Sequence, residues 1–141
     1  MGKILRTIER FIPKPLYRAG QPIYHFFLSL LGAVLYRFPA KNIRVVGVTG
    51  TKGKTTTVEL VNTILEEAGY NTALAGTLRF KIGNNTERNL YKMTMPGRFF
   101  MQKFLHEAVK ERCDYAIVEI TSEGVKQFRH KFLELNTLIV T

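Results

Sequence analysis

The residues best suited to chemistry lie between positions 43 and 57, where a short β-branched run leads into a turn with two glycines. The turn and the start of the helical pattern after it read Gly50-Thr51-Lys52-Gly53-Lys54-Thr55-Thr56. In a loop of this kind, backbone N–H groups and a helix N-terminus face a phosphate, and a lysine and a hydroxyl contact the phosphates and Mg²⁺. We predict a nucleotide phosphate site here. An ordinary glycine turn is the alternative.

Each position of this loop has an expected role. Lys54 is predicted to contact the β- and γ-phosphates of a bound nucleotide during catalysis, and Thr55 to bind Mg²⁺. Thr56 and the backbone of Gly50, Thr51, Lys52 and Gly53 complete the phosphate cradle, with the side chain of Lys52 in solvent. The general motif has glycine five residues before its Gly-Lys pair, where this chain has Val48. The loop is therefore a tighter variant.

A second candidate ligand stands at the end of another apolar run. Residues 115–118 read Tyr-Ala-Ile-Val, and Glu119 follows them directly. A carboxylate at the end of a strand beside a phosphate loop is well placed to bind Mg²⁺. We predict Glu119 as a catalytic metal ligand, with a solvated strand end as the alternative.

The tight loop Thr-Gly-Thr-x-Gly-Lys-Thr-Thr, at residues 49–56, resembles the ATP loop of the Mur ligases, the amide-forming enzymes of peptidoglycan assembly. Three later segments are similar to those of the muramyl-tripeptide branch of that family. They are Gly76-Thr77-Leu78, Thr94-Met95-Pro96 in place of Thr-Thr-Pro, and Glu119-Ile120-Thr121-Ser122-Glu123 in place of Glu-x-Ser-Ser-His. The resemblance covers residues 43–141.

The resemblance implies a ligase that uses ATP and Mg²⁺ to join a UDP-linked muramyl peptide to an amino acid. The muramyl carboxylate attacks the γ-phosphate of ATP, which gives an acyl phosphate and ADP. The amine of the amino acid then attacks the acyl carbon and releases phosphate. Glu123 stands where the family has histidine, and it either binds a second Mg²⁺ or caps the following helix. Thr94 either lines the substrate site or forms a simple turn.

The alternation of strand and helix patterns predicts an α/β fold, a phosphate-loop-type parallel sheet flanked by helices, with ligands at the carboxyl ends of the strands. We expect strands over residues 43–48, 72–75, 115–118 and 137–140, a hairpin that turns at 83–85, and helices over 54–68, 98–112 and 124–132. The core side of the helix over 98–112 is expected to comprise Phe99, Phe100, Phe104, Leu105 and Val109. Residues 41–141 would form the first part of an ATP-binding domain.

Residues 1–40 are predicted to be a separate basic, apolar helical segment. Residues 1–44 hold eight basic residues and one acidic residue, a net +7 of the formal +10 of the chain. Helices are expected over 2–12 and from about Pro22 to Arg37. The apolar run of the second is about 22 Å long, which is short against a bilayer core of about 30 Å. This helix either packs against the body, lies on an anionic membrane or forms an oligomer contact.

The charge also bears on partners and location. A basic chain raises the question of nucleic acid, but the charged segment is apolar and carries no recognisable nucleic-acid motif, so we exclude that class of partner. The single cysteine, Cys113, cannot form an internal disulfide, which fits the cytoplasm. Anchoring through residues 1–40 would place the chain at the inner face of the membrane.

Residues 136–141 read as a strand that, in Mur ligases, runs directly into an Asn-x-Thr-x-Asp-His segment. The chain is therefore expected to be an incomplete fragment that forms no amide bond alone. Two other functions remain open. One is a related amide ligase of the folylpolyglutamate or cyanophycin type. The other is a non-catalytic, membrane-associated nucleotide-binding module.

Overall fold

The structure is a computed structural model that describes residues 14–91 and 93–141, with side chains from residue 21 onward. The helix predicted over residues 2–12 lies outside these ranges. Helix α1 spans Lys14–Leu35, and a short 3₁₀ helix over Pro39–Asn42 links it to the sheet. The predicted start of α1 at Pro22 is wrong by eight residues, because the helix continues through this proline. Pro22 removes one backbone N–H donor, yet the turns on either side remain helical.

A six-stranded sheet in the order β4-β3-β2-β5-β1-β6 forms the centre of the molecule. Its strands are β1 (Arg44–Thr49), β2 (Thr72–Ala75), β3 (Arg79–Ile82), β4 (Asn85–Arg88), β5 (Tyr115–Glu119) and β6 (Leu135–Val140). Strands β2, β5, β1 and β6 are parallel, while β3 and β4 form an antiparallel hairpin on the β2 edge. The predicted α/β class is confirmed, and the parallel strands bring their carboxyl ends to one edge of the sheet.

Three further helices follow strands of this sheet: α2 (Lys54–Glu67), α3 (Arg98–Lys110) and α4 (Ser122–Lys126). Helix α2 covers one face of the sheet, where Val58 packs with Val46, Val48 and other apolar strand residues. Helix α3 covers the opposite face and contributes to the larger core. The two faces together bury the central strands on both sides, which explains their nearly continuous apolar sequences.

The core side of α3 was predicted only in part. Phe104 and Leu105 are buried as expected, but Met101 and Ala108 are fully buried in place of Phe99, which is exposed. The remaining two expected residues, Phe100 and Val109, are partly buried against the core. Helix α1 also packs on α3, with Gly32 near Phe99 and Gln102, and Gln102 is buried on this second side. A helix buried by two neighbours has a different inward face from one that covers a sheet alone.

The segment after β5 is less helical than predicted. Helix α4 ends at Lys126, and a series of turns replaces the rest of the helix expected over residues 124–132. Phe128 and Phe132 both have positive φ values, 56° and 61°, which no continuous right-handed helix allows. His130 is half-buried in these turns.

A mostly buried polar network, with the exposed Glu66 at its outer end, joins α2 to the strands β2 and β3. Lys81 lies on the α2 side of the sheet and donates to the hydroxyl of Thr72 at 2.9 Å and to Glu66 at 2.6 Å. The Thr72 hydroxyl donates to the side-chain oxygen of Asn62 at 2.8 Å, and the Asn62 amide donates to Glu66 at 2.7 Å. Every member therefore has a partner, as buried polar groups require.

Candidate nucleotide-binding site

The predicted phosphate loop connects the end of β1 to the first turn of α2. Gly50 and Gly53 have φ values of 140° and 77°, a region that side chains with a Cβ rarely adopt. Gly53 is the N-cap of α2, and no side chain of the described residues caps the start of this helix. The N-terminal N–H groups of α2 are therefore oriented for an anion from outside the loop.

Lys54 lies at the first position of α2, and its ammonium group donates to the carbonyl oxygen of Gly50 at 2.9 Å. This bond holds the ammonium group across the loop opening. Lys52 is exposed in the same loop, as predicted. A phosphate that entered the loop would meet the charge of Lys54 directly, while that of Lys52 points to solvent.

Thr141 closes the β6 side of the loop. Its backbone N–H donates to the carbonyl of Thr49 at 2.9 Å, and its hydroxyl donates to the carbonyl of Lys52 at 2.6 Å. A Cβ on Gly50 would lie 2.1 Å from the Thr141 carbonyl oxygen, so only glycine fits there. The path of the loop is thus set both by its own glycines and by the strand beside it.

Glu119 is brought to the loop by the register of the parallel strands. It is the last residue of β5 and lies opposite Val48 of β1, two residues before Gly50. Its side chain is 1% exposed, and among the described residues no ion pair includes it. A buried carboxylate that no described cation neutralises is a suitable ligand for Mg²⁺.

Thr77, two residues after the neighbouring strand β2, holds the Glu119 carboxylate. Its backbone N–H donates to Oε1 at 3.0 Å and its hydroxyl donates to Oε2 at 2.9 Å. The hydroxyls of Thr77 and Thr94 lie 2.9 Å apart. Because the proton of Thr77 is used on Glu119, Thr94 is the donor in this second bond. The fold therefore connects three of the segments on which the resemblance rested.

The two predicted ligands, Thr55 and Glu119, offer a hydroxyl and a carboxylate. Both are oxygen ligands of the kind that Mg²⁺ prefers, and the ion would keep part of its water. The described residues contain no group of three or more acidic, histidine or cysteine side chains placed to hold a metal.

Glu123 lies in the first turn of α4 and is exposed. The capping role belongs instead to Thr121, whose hydroxyl accepts from the Gly124 N–H at 3.0 Å. The Glu123 carboxylate accepts a short hydrogen bond from the side chain of Gln127. The acidic charge still suits the positive end of this short helix, and its role as a metal ligand stays a prediction.

Two arginines near this edge were missed by the reasoning from sequence. Arg98, at the start of α3, donates to the Gln127 carbonyl at 3.0 Å, and Arg129 donates to the Met95 carbonyl and to the Gln127 side chain. The Nε of Arg129 is buried and has no partner among the described residues. A sequence signal exists for Arg129, because residues 124–133 hold four basic or histidine side chains and no acid.

Arg98 lies close to a second cation, the guanidinium group of Arg129. Burial, and then the nearby Arg129 guanidinium, lower the pKa of Arg98. Arg98 also contacts Nδ1 of His25, which extends from α1. Arginine can only donate, so Nδ1 accepts and this histidine is neutral; burial and Arg98 lower its pKa accordingly. The two guanidinium groups can therefore receive an anionic ligand.

One cavity of the described residues lies away from this site. It has a volume of about 780 Å³ and separates the β3–β4 hairpin from α3, lined by Phe80, Tyr91, Phe100, Phe104 and charged residues around them. None of the predicted site residues lines it. The candidate site is the loop with its carboxylate, since an open phosphate loop binds its ligand at a surface and needs no enclosed cavity.

A parallel sheet, a glycine loop that opens a helix, and a carboxylate at the end of the adjacent strand define a phosphate-loop α/β protein. The chain belongs to the Mur ligase middle domain family, whose sequence model matches residues 48–141. The predicted resemblance is therefore confirmed.

Curated relatives agree with this assignment. The chain is 40% identical over 114 residues to the UDP-N-acetylmuramoyl-L-alanyl-D-glutamate--2,6-diaminopimelate ligase of Syntrophomonas wolfei. It is 38% identical over 114 residues to the UDP-N-acetylmuramyl-tripeptide synthetase of Roseiflexus. Each alignment covers 81% of this chain but only 23% and 22% of the relative, so the chain spans less than a quarter of their length.

A solved structure titled as a UDP-N-acetylmuramoyl-L-alanyl-D-glutamate--2,6-diaminopimelate ligase has the same fold in this region. Its TM-score is 0.67 at 24% sequence identity, over 77% of this chain and 23% of that one. This similarity supports the architecture alone.

Proposed function

We propose that this chain is the ATP-binding part of an amide ligase of peptidoglycan precursor synthesis. The observation that carries the proposal is the meeting of the loop and Glu119 at one edge of the sheet, with Thr77 and Thr94 bonded to that carboxylate in series. All four features fall in segments that resemble the family, and the fold brings them to one place. The cytoplasm, where ATP is supplied, is the proposed location.

In this proposal the loop binds the phosphates of ATP. The backbone of Gly50, Thr51, Lys52 and Gly53 surrounds the phosphates, together with Thr56. Lys54 exchanges its bond to the Gly50 carbonyl for the β- and γ-phosphates and neutralises charge during transfer. Mg²⁺, held by Thr55 and Glu119 with Glu123 as a further candidate, would supply charge neutralisation on the phosphate oxygens.

The proposed substrates are a UDP-linked muramyl peptide and an amino acid. Arg98 and Arg129 are suited to hold a carboxylate of the muramyl peptide, because neither is paired with an acid among the described residues. Arg129 donates to the carbonyl of Met95, the residue that follows Thr94 in the chain. The carboxylate would attack the γ-phosphate, and the amine would then displace phosphate from the acyl carbon.

The named relatives favour the muramyl branch over folylpolyglutamate or cyanophycin ligases, because both are muramyl-peptide ligases by name. The division into residues 1–40 and 41–141 is part of this proposal. The first segment would lie outside the catalytic unit.

The nucleotide part of the proposal can be tested by calorimetric titration of the purified chain with Mg-ATP. Lys54→Ala should weaken binding by more than about tenfold, since it removes the charge nearest the phosphates. Lys52→Ala is the matched control: it removes an exposed lysine of the same loop and should change affinity less than threefold, on the scale of a single solvated charge. Equal losses in both variants, or no binding by the parent chain, would contradict the assignment.

The substrate part needs a separate measurement. Binding of a UDP-linked muramyl dipeptide should weaken in Arg129→Gln and stay unchanged in Arg112→Gln, where the arginine is exposed and distant in the fold from the loop. Retained ATP binding in both variants would show that the phosphate loop is intact. If Arg129→Gln bound the muramyl ligand as the parent does, the carboxylate would have to be held elsewhere.

A further inference from the structure

Helix α1 carries a row of large apolar side chains that nothing in the described chain covers. The row repeats at the three- and four-residue spacing of one helix side and comprises Ile23, Tyr24, Phe27, Leu31, Val34 and Leu35, all exposed. We refer to it as the outer face of α1. An apolar surface of this extent marks a site of interaction in soluble proteins.

The opposite side of α1 already accounts for its attachment to the body. Ser29 is buried there and donates to the carbonyl of Phe128 at 2.8 Å, and Ala33 is fully buried. Gly32 lies against Phe99 of α3. The helix is therefore held by its inner face, and the outer face has no part in that packing. Its apolar residues need another explanation.

The charge around α1 points to an anionic occupant. No acidic residue occurs between Glu9 and Glu59, and α1 itself contains none. Arg37 and Lys41 are exposed just after the helix, and in sequence Lys14 and Arg18 stand in its first part. A second copy of the chain would bring two such cationic segments together, which like-charge repulsion opposes.

We propose that the outer face of α1 binds the surface of an anionic lipid membrane, with the helix lying in the plane of the interface. The apolar row would enter the boundary between headgroups and acyl chains, and the flanking cations would contact anionic headgroups. In the described residues no helix is long and apolar enough to cross a bilayer. The inference goes beyond the proposed ligase function and does not depend on it.

Co-sedimentation of the full 141-residue chain with vesicles tests the apolar part. The probes are vesicles of phosphatidylcholine with about one quarter phosphatidylglycerol, and vesicles of phosphatidylcholine alone, a contrast chosen to isolate the anionic headgroup. The parent chain should bind the first and bind the second at least about tenfold more weakly. Phe27→Gln with Leu31→Gln should reduce binding to the anionic vesicles by at least about tenfold.

Helix α2 offers a matched control. Leu60 and Ile64 are 57% and 66% exposed, close to the 61% and 56% of Phe27 and Leu31. Leu60→Gln with Ile64→Gln should leave vesicle binding unchanged. Because all four side chains are exposed, both double variants should keep the circular dichroism and melting temperature of the parent. These two measurements separate a loss of vesicle binding from a loss of folding.

A second pair of variants tests the charge. Arg37→Gln with Lys41→Gln should weaken binding to the anionic vesicles by about tenfold or more, and raising the salt should do the same to the parent chain. Lys110→Gln with Lys126→Gln removes the same net charge from exposed positions elsewhere and should have little effect.

Three results would overturn the proposal. One is absence of binding to the anionic vesicles by the parent chain at low salt. Another is an equal loss in the α1 and α2 double variants. The third is a dimer in solution, without lipid, that Phe27→Gln with Leu31→Gln converts to a monomer, since the outer face would then bind a second copy.

Discussion

Thr77 donates two hydrogen bonds to Glu119, from its backbone N–H to Oε1 at 3.0 Å and from its hydroxyl to Oε2 at 2.9 Å. The two residues are 42 positions apart in sequence and meet because β2 and β5 are adjacent parallel strands. The residue before Thr77 is Gly76, where a Cβ would lie 3.0 Å from Oε1. The carboxylate is thus fixed in one orientation by the end of β2.

Replacing Thr77 with valine tests this orientation. Thr77→Val keeps the backbone N–H but removes the hydroxyl, so the carboxylate loses one of its two donors and is less well ordered. We expect the apparent affinity for Mg²⁺, measured in ATP titrations at varied Mg²⁺, to fall by about tenfold, the usual range for loss of a group that orients a metal ligand. Binding of ATP without Mg²⁺ should change little.

Two further variants make this prediction specific. Thr94→Val removes a hydroxyl that reaches Glu119 only through Thr77, so its effect should be smaller than that of Thr77→Val. Thr77→Ser restores the hydroxyl and should restore Mg²⁺ dependence. A larger effect from Thr94→Val than from Thr77→Val would mean that the Thr94 hydroxyl acts directly on the bound Mg-ATP and not through Thr77.

Gly50 and Gly69 both have positive φ values, 140° and 87°, but they differ in their surroundings. A Cβ on Gly69 meets nothing within 4 Å, whereas one on Gly50 would lie 2.1 Å from the Thr141 carbonyl oxygen. Gly69→Ala should therefore cost only backbone strain, about 1 kcal/mol of unfolding free energy. Gly50→Ala should cost at least about 3 kcal/mol, since strand β6 must also shift.

Urea unfolding of both variants measures this difference. The Gly50→Ala variant should in addition lose Mg-ATP binding, because the loop would move with the strand. Equal stability of the two variants would show that the contact between Gly50 and Thr141 is absent in solution.

Asn62 is fully buried in α2 and joins Thr72 to Glu66 through its side-chain amide. Asn62→Ala leaves a small cavity and removes the acceptor of the Thr72 hydroxyl. We expect the free energy of unfolding to fall by roughly 2 to 3 kcal/mol. The adjacent Thr63 is exposed, so Thr63→Ala should stay within about 0.5 kcal/mol of the parent. A similar loss in both would contradict a specific role of the Asn62 network, since alanine has the higher helix propensity at either position.

The ion pair between Lys81 and Glu66 should make stability depend on acid pH. The hydrogen bond from Lys81 is the largest of the causes that lower the pKa of Glu66 from its ordinary value of 4.5. The folded state therefore favours the carboxylate. Its contribution is complete above pH 4.5 and is lost as the pH falls through the lower pKa of the folded state.

Comparison of the parent chain with Glu66→Gln checks this dependence. Because the Glu66 side chain is 40% exposed, solvent screening keeps the difference in unfolding free energy below about 1 kcal/mol. That difference should be present near pH 6 and shrink towards pH 3. Glu67→Gln, at the exposed next position of the same helix, should show no such trend. A difference that grew on acidification would contradict the sign of the pKa shift.

Much of the fold was predictable because its strands are short and sharply bounded. β2 was predicted at its observed residues, and the hairpin turn at Gly83 and Asn84 was also correct. α1 was less predictable, since proline is usually read as a helix start or stop and here it lies within the helix. The turns after α4 escaped prediction because positive φ at Phe128 and Phe132 has no signature in residue type.

The sequence by itself determined the loop, since the order of glycines, Lys54 and threonine after an apolar strand describes a local structure that needs no distant contact. It also determined that Glu119 ends a strand. Only the tertiary structure decided that Thr77 orients this carboxylate, because that contact depends on which strands are neighbours and in what register. The tertiary structure likewise decided that Arg98 and Arg129 both contact Gln127, and that the outer face of α1 is exposed. Whether a side chain is buried, paired or exposed depends on what packs against it, and the packing partners come from elements distant in the sequence.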